Sequence, residues 1–314
     1  MAYQSFFGEY KLILERSDGS VVDTGWFDNI VLNQGLDYLG VIPAYDSFTQ
    51  VPQTGVKTYN GPTAYIRVGS GSSPASVSQT SLDAQTGYAI DVYDPTTGKA
   101  VIATSPSQQF SVMFNIGGTP VQGNTGTGWA PAGLIQEVGA GWASSGNTLF
   151  SRAVLPAPLI TSIGDKLTIY YKLTRTTQSF PVNGSVSING IVYNYTATYG
   201  TPPVPTTSYV TPAKIICAYQ DGALSGSGYV TINGNPQPTV ATFPIAYTVN
   251  PYVPGTYYID CTSAFALPQN WAGKGVKIIW VQYSNMAVQM AFSTVIPATP
   301  GNTLSLTLRA PWGR

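Results

Sequence analysis

The sequence predicts an all-β fold of antiparallel β-sandwich domains, with one short helix near residues 33–40. Charged residues make up only 9% of the 314 residues, whereas Gly, Pro, Tyr, Ser and Thr are abundant. This composition is typical of strands and turns, because solvated amphipathic helices carry many charged residues. Several segments also alternate apolar and polar residues with the period of two that a half-buried strand requires.

Two hairpins are predicted in the first third of the chain. Residues 8–27 set two apolar runs around the dipeptide Asp18-Gly19, and Asp-Gly between two such runs is a strong hairpin signal. Strand candidates at 89–92 and 99–104 flank an Asp-Pro-Thr-Thr-Gly segment whose residue order is typical of a turn.

The helix is predicted from apolar spacing. Leu32, Leu36 and Leu39 lie three or four residues apart and would share one helical face. Asn33 is a candidate N-cap, and Gly40 is a candidate end of the helix.

Two long connections separate these elements. Residues 41–63 contain three prolines and read as a surface loop, which makes them a candidate for contacts with partners. A strand at 65–68 then runs into GSGSSPASVSQTSL, residues 69–82, which is rich in small residues. A phosphate-binding loop would need a Lys after the glycines and a helix behind it, and neither is present. We therefore expect a connecting loop anchored by Leu82.

The clearest strand patterns lie in the middle of the chain, at residues 110–117, 134–142, 148–155 and 166–175. In the last of these, alternate positions on one face are apolar and should point into a core. They are Leu167, Ile169, Tyr171 and Leu173.

A domain boundary is expected near residue 178, which gives domains at 1–177 and 178–314. New strand patterns begin after this point, and a proline-rich connection follows at 201–212. The second domain carries a weak internal echo of the first, since Phe150-Ser151 and Phe292-Ser293 each precede a short aliphatic run that ends in proline.

Composition excludes several functions. The chain has no histidine, which removes Ser-His-Asp and Cys-His nucleophiles and His-ligated zinc. Fourteen basic and fourteen acidic residues balance without a basic cluster, so nucleic acid is not an expected partner. No secretion signal or membrane span is predicted. The two cysteines, Cys217 and Cys261, are read as small buried residues on neighbouring strands, with a disulfide between them left open.

A glycosidase needs only two carboxylates, so that reaction class survives the absence of histidine. The candidate acids are Glu9, Glu15, Glu137, Asp91, Asp94, Asp165 and Asp260. Glu137 lies inside an apolar strand, where burial would suit a general acid, but the favoured interpretation is that it faces outward or pairs with Arg152. Asp91 and Asp94 are read as turn residues rather than calcium ligands. We therefore expect no enzyme, and no catalytic, cofactor-binding or metal-binding residues.

Aromatic residues raise a second class of function. The chain has 21 Tyr and six Trp, and aromatic faces stack on sugar rings. The candidates in or beside loops are Trp129, Tyr195, Tyr199, Tyr257 and Tyr258. Cross-strand packing and subunit contacts are the favoured interpretation of these residues.

Four segments together resemble a recurrent module of tailed-bacteriophage virion proteins, of the tail, collar and fibre group. They are GWFDNIVLNQGLDYLG (25–40), YIRVGSGSSPASVSQTSL (65–82), QEVGAGWASSGNTLFSRAVL (136–155) and KLTIYYKLTR (166–175). The ending at 292–314 is also similar to the closing segment of such proteins. The resemblance implies that Trp26 and Trp142 are core or inter-strand aromatics, that Gly35 and Leu36 form the short helix, and that residues 150–152 run along a central strand.

The resemblance also implies a function, which is that of a non-enzymatic structural component of a phage particle. Its partners would be copies of itself and other virion proteins, and its place would be the virion, assembled in the cytoplasm of the bacterial host. The alternatives are a module on the virion that binds a host receptor or surface polysaccharide, and a polysaccharide depolymerase. Contacts particular to this phage are expected in residues 178–275 and in the loop 41–63.

Overall fold

A computed structural model describes residues 4–41, 65–90, 107–118, 127–177, 182–188, 190–200, 214–220, 242–244, 248–266, 275–282, 287–297 and 303–314. Over these residues the protein is mostly β with one short helix, which confirms the predicted fold class. Of the helices in the described ranges, none has the length and apolarity needed to cross a membrane. The chain divides into an amino-terminal unit, Gln4–Thr176 with Trp312–Arg314, and a carboxy-terminal unit, Thr177–Pro311.

The helix and first ten strands belong to the amino-terminal unit. They are β1 (Gln4–Glu15), β2 (Val21–Asp28), β3 (Ile30–Val31), α1 (Asn33–Val41), β4 (Tyr65–Gly69), β5 (Gln85–Ile90), β6 (Ser107–Ile116), β7 (Thr127–Ala130), β8 (Gly133–Gly141), β9 (Leu149–Thr161) and β10 (Lys166–Thr177). The remaining strands are β11 (Val182–Ile188), β12 (Ile191–Gly200), β13 (Lys214–Gln220), β14 (Thr242–Pro244), β15 (Thr248–Val249), β16 (Tyr258–Ala266), β17 (Gly275–Gln282), β18 (Ala287–Pro297) and β19 (Thr303–Gly313).

The sheet of the amino-terminal unit runs in the order β1-β10-β6-β7-β5-β4-β8-β9-β3, and β2 pairs with β1. Most neighbours are antiparallel, but β6 and β7 are parallel. Gln4 and Ser5 also pair in parallel with Trp312 and Gly313 at the end of β19. The sheet is therefore mixed, which corrects the expectation of a wholly antiparallel arrangement; the sandwich form remains a prediction.

The core of this unit follows the predicted alternation on β10. Leu167, Ile169, Tyr171 and Leu173 are all buried. Their backbone partners on β6 include Phe114 and Val112, which are buried on the same face. Each of the buried Leu, Ile, Val and Phe side chains stabilises the fold by about 1.5–3 kcal/mol through removal of apolar surface from water.

The first of the two predicted hairpins and the predicted helix are both present. The strands β1 and β2 are joined by a turn in which Gly19 has a φ of 85°, a conformation that favours glycine. The helix α1 buries Leu36 and Leu39, as predicted. Asn33 is not its N-cap, because Leu32 supplies the first accepting carbonyl, while the Asn33 side chain accepts a hydrogen bond from Arg314.

Other strand predictions agree where they can be compared. The strands predicted at 110–117, 134–142, 148–155 and 166–175 correspond to β6, β8, β9 and β10. The strand predicted at 65–68 is β4, and the described part of the one predicted at 89–92, Ala89 and Ile90, ends β5. Residues 42–64 and 91–106 lie outside the described residues, and with them most of the predicted 41–63 loop, the 99–104 strand, Asp91 and Asp94.

The carboxy-terminal unit contains a sheet in the order β11-β12-β18-β17-β13-β14, whose described pairs are all antiparallel. A second group runs β15-β16-β19. Cys217 lies on β13 and Cys261 on β16, in different groups, so the prediction that they occupy neighbouring strands was wrong. Period-two patterns identify strands but do not identify their partners.

Gly35 provides a test of how tightly α1 packs on β9. A Cβ atom at position 35 would lie 2.4 Å from the carbonyl oxygen of Phe150. Gly35→Ala is therefore expected to destabilise the unit by about 1–3 kcal/mol, although Ala ordinarily stabilises a helix interior relative to Gly. Chemical denaturation measures this change. Gly118→Ala is the control, because a Cβ there makes only an ordinary contact at 3.6 Å, and an equal loss in both variants would contradict the close packing.

Candidate functional site

The most heavily bonded group of charges lies on β8 and β9. Glu137 and Arg152 are both fully buried, and their pairing confirms the favoured interpretation of Glu137. The Arg152 Nε atom donates to Glu137 Oε2 at 3.0 Å, and Arg152 Nη2 lies 2.9 Å from the same oxygen. The alternation of β8 and β9 puts both side chains on the sheet face opposite the core residues Val138 and Ala153.

The Glu137 carboxylate also binds the backbone of the segment between β4 and β5. Its Oε1 atom accepts from the N–H groups of Gly71, at 3.1 Å, and Ala84, at 2.8 Å. Its Oε2 atom accepts from the N–H group of Asp83 at 3.0 Å. Both oxygens are thus acceptors for protein N–H groups, and they hold the two ends of residues 70–84, which we call the pinned loop.

Arg152 holds the same loop through its outer nitrogens. Nη1 donates to the carbonyl of Ser73 at 3.0 Å and to Oε1 of Gln79 at 2.9 Å. Nη2 donates to Oδ2 of Asp83 at 2.8 Å. A buried guanidinium is costly unless its donors are satisfied, so the charge and the loop conformation depend on each other.

Apolar and backbone contacts complete this arrangement. Leu82 packs with Leu32 and Leu149 in a small buried cluster, which confirms that it anchors the connecting loop. Gln34 on α1 donates to the carbonyls of Thr80 and Leu149, at 2.7 and 2.8 Å. The helix, the pinned loop and β9 therefore form one packed group.

A second buried arginine organises a second loop. Arg67 on β4 is fully buried, and its Nε and Nη1 atoms donate to the carbonyls of Ala143 and Gly146, each at 2.9 Å. Its Nη2 atom donates to the side chain of Thr148. Burial lowers the pKa of Arg67 to about 10, which leaves it protonated at neutral pH. The guanidinium thus fixes residues 143–148, between β8 and β9.

The carboxylate of Asp165 also binds backbone N–H groups of turns. It is buried, and its Oδ1 atom accepts from the N–H group of Ser17 at 3.0 Å. Its Oδ2 atom accepts from the N–H group of Ser162 at 2.8 Å. The carboxylate therefore ties the β1–β2 turn to the β9–β10 turn.

A buried hydroxyl cluster lies on the core side of the sheet. Tyr10 and Ser151 hydroxyls are 3.0 Å apart, and Ser151 donates to the Tyr171 hydroxyl at 3.2 Å. Burial raises the pKa of Tyr10 well above its usual value and that of Tyr171 to about 12. These phenols stay protonated near neutral pH and act as hydrogen-bonding core residues.

Three aromatic side chains share the sheet face that carries the two arginines. Tyr88 on β5 is opposite Arg67 on β4 and opposite Trp129 on β7, so the three project on one side. Tyr65 precedes Arg67 by two residues, and its ring centroid lies 6.2 Å from that of Tyr88. Tyr88 is 45% exposed. We call Tyr65, Tyr88 and Trp129 the aromatic row.

The other aromatic candidates are engaged differently. Tyr195 on β12 lies edge-to-face with Phe292, and its ring covers Gly184 on the adjacent strand. Tyr258 lies under the Arg309 guanidinium at 3.6 Å from the ring centroid. Tyr257 precedes β16 with a φ of 53°, and the side chain of Tyr199 lies outside the described residues.

Trp26 and Trp142, for which a core or inter-strand position was expected, differ in environment. Trp142 stacks on Tyr38, with ring centroids 4.1 Å apart. Trp26 is 41% exposed on β2 and has Lys172 at 5.8 Å from its ring centroid. Trp26 is therefore not a core residue; of the two expected positions, the inter-strand one fits, since Trp26 lies opposite Lys11 of β1 and near Lys172 of β10. Residues 150–152 lie on β9, between β8 and the two-residue β3.

The remaining candidate acids form separate pairs or stand apart. Glu9 pairs with Lys172 at 2.6 Å, and Asp260 pairs with Arg309 at 2.8 Å. Hydrogen bonding from Arg309 lowers the pKa of Asp260. Glu15, the last residue of β1, is exposed. Within the described ranges, no cluster of three or more acidic or cysteine side chains is arranged to hold a metal ion.

Sequence reasoning identified Glu137, Arg152 and Leu82 but missed Arg67. Of the aromatic row it named Trp129 and missed Tyr65 and Tyr88. A charge between Ile66 and Val68 in an apolar strand was the available signal for Arg67. The row as a whole had no such signal, because it depends on the pairing of β4, β5 and β7.

Comparisons with protein-family models, curated proteins and solved structures found no match to this chain.

The Glu137–Arg152 pair generates a stability prediction. Glu137→Gln places an amide against the donors of Arg152 and the pinned loop and leaves Arg152 without its buried counter-charge. We expect a loss of about 3–5 kcal/mol in the free energy of unfolding, together with faster proteolytic cleavage in residues 70–84.

Glu9→Gln is the matched control, because the Glu9–Lys172 pair is partly exposed, at 22% and 34%. Its cost should stay below about 1 kcal/mol. Chemical denaturation measures both losses. Similar losses in the two variants would contradict a larger contribution of the buried pair to the free energy of unfolding.

Proposed function

We propose that this chain is a structural component of a tailed-phage particle, in the tail, collar or fibre. In this proposal it has no catalytic centre, and it acts by symmetric assembly with copies of itself and by contacts with other virion proteins. Its location would be the virion, after assembly in the cytoplasm of the bacterial host.

The observation that supports the proposal is the packing of the phage-like sequence segments against one another. The segments 25–40, 65–82 and 136–155 are distant in sequence, yet they meet in the group formed by α1, the pinned loop and β9. The closing segment joins them, since Trp312 Nε1 donates to the carbonyl of Leu36 at 3.0 Å. The resemblance thus corresponds to one physical module rather than to scattered fragments.

The use of buried charge is a second support. Arg67, Glu137, Arg152 and Asp165 are the buried charged residues among those described, and all four bind the backbone of loops or turns. Loops held in this way keep a fixed surface shape. A fixed shape suits a subunit that must fit identical neighbours repeatedly.

The proposal is tested on phage particles purified from lysed host cells by density gradient. We expect mass spectrometry to find the chain in intact particles, and immunogold microscopy to place it on the tail or neck. We expect light scattering of the purified chain to give a defined oligomer. A chain abundant in the lysate but absent from particles would contradict the proposal.

The aromatic row favours a second candidate function, which is binding of a polysaccharide on the host surface. Tyr88 exposes part of its ring between Tyr65 and Trp129, on the sheet face that also carries Arg67 and Arg152. Aromatic side chains supply large, rigid contact surfaces at little cost in conformational entropy. A row of this kind is the feature that the carbohydrate hypothesis predicts.

Binding to immobilised bacterial surface polysaccharides tests this candidate. If the row binds sugar, Tyr88→Ala should weaken binding at least about tenfold, as loss of a central aromatic contact does. Trp26→Ala is the control, because Trp26 is similarly exposed but lies on β2, outside the row. Absence of binding, or equal losses in both variants, would exclude the row as a sugar site.

A further inference from the structure

Edge strands differ in how well they resist pairing with another chain. An exposed edge presents unpaired N–H and C=O groups, and natural proteins usually protect it with short length, proline, charge or a bulge. Among the described strands, β3 and β15 are edges of two residues each, and β14 is an edge of three residues that ends in Pro244.

The strand β2 is an edge protected in another way. Among the described strands it pairs only with β1, and it carries the charged residues Asp23 and Asp28. Its pairing shifts register between Lys11 and Ile13, and Gly25 has a φ of 66°. Charge and irregularity therefore both oppose addition of a further strand.

The strand β11 lacks all of these protections. It has seven residues, VNGSVSI, with no charge and no proline. It pairs with β12 in an unbroken register from Val182 opposite Ala197 to Ile188 opposite Ile191. In the described part of the sheet, β12 is its single neighbour. Among the residues that the structure describes, one long, regular and neutral side of the β11 backbone is thus left without a partner strand at the end of the sheet.

We propose that β11 is an assembly edge that pairs in antiparallel fashion with β11 of a second copy of this chain. The two strands meet about a two-fold axis at Ser185, so that Asn183 of one copy lies opposite Ser187 of the other. The two six-stranded sheets then join into one continuous sheet. This inference rests on the proposed assembly function and names the surface that performs it.

The side chains of β11 suit a copy of the same strand. Asn183, Ser185 and Ser187 are exposed on one face, so pairing would set neutral polar groups opposite one another. On the other face, Gly184 would lie opposite Val186 of the second copy, which sets a small residue against a larger one. No like charges meet, and like charges opposite one another are what normally disfavour such a pair. A strand that pairs with itself about a two-fold axis also forms a closed, isologous contact.

Charge at the axis provides the first test. Ser185→Lys would bring two ammonium groups together at the self-paired position, and we expect the dissociation constant of the oligomer to rise at least about tenfold. Ser293→Lys is the matched control, because Ser293 is exposed two strands away on β18 and should leave assembly unchanged. Light scattering over a range of concentrations measures both, and circular dichroism verifies that the variants fold.

A disulfide cross-link provides the second test. It does not depend on whether the folded chain accepts a Lys side chain at position 185. Paired residues in an antiparallel sheet have Cα atoms about 4.5–5.5 Å apart, which is within the range that a disulfide bridges. Ser185→Cys should therefore form a covalent dimer under mild oxidation, beyond any seen for the unmodified chain. Ser293→Cys should not.

The outcomes separate this inference from the broader proposal. An oligomer whose affinity is unchanged by Ser185→Lys, and which Ser185→Cys does not cross-link, overturns the edge pairing but leaves assembly by another surface intact. A chain that stays monomeric at all concentrations, while present in particles, overturns the edge pairing and the self-assembly in the proposed function, but leaves its place in the particle intact. A monomeric chain that is also absent from particles overturns both.

Discussion

The amino-terminal unit depends on the requirement that buried charge be neutralised and hydrogen-bonded. Glu137 and Arg152 would each be costly alone in the sheet, and together they still need further partners. Those partners come from the pinned loop, whose N–H and C=O groups approach the pair from both ends. A loop rich in Ser thereby acquires one conformation without a helix or strand of its own.

The strands were predictable from sequence because a half-buried strand must alternate. Leu167 to Leu173 on β10 carry that alternation clearly, and the Asp-Gly turn at 18–19 fixes the first hairpin. Glu137 was identifiable because a carboxylate in an apolar run needs a partner, and Arg152 stands in the next strand pattern. These predictions use only local sequence and the cost of burial.

What the sequence could not supply is the identity of neighbouring strands. The wrong placement of Cys217 and Cys261 has this cause, and so does the missed alignment of Tyr88 with Trp129. Register is set by the sum of many cross-strand contacts, not by any one segment. The N-cap prediction failed for a related reason, since the Asn33 side chain is bound by Arg314, nearly three hundred residues away in sequence.

The last three residues, Trp312–Arg314, pack in the amino-terminal unit. That unit can therefore be completed only after the rest of the chain has been synthesised. Trp312 and Arg314 bond to carbonyls around α1, yet they are translated only after all of Thr177–Pro311. At ordinary elongation rates the interval is on the order of ten seconds, far longer than the local folding of a hairpin or helix. During that time the region around α1 lacks the Trp312 indole and must persist, or be protected, in an incomplete form.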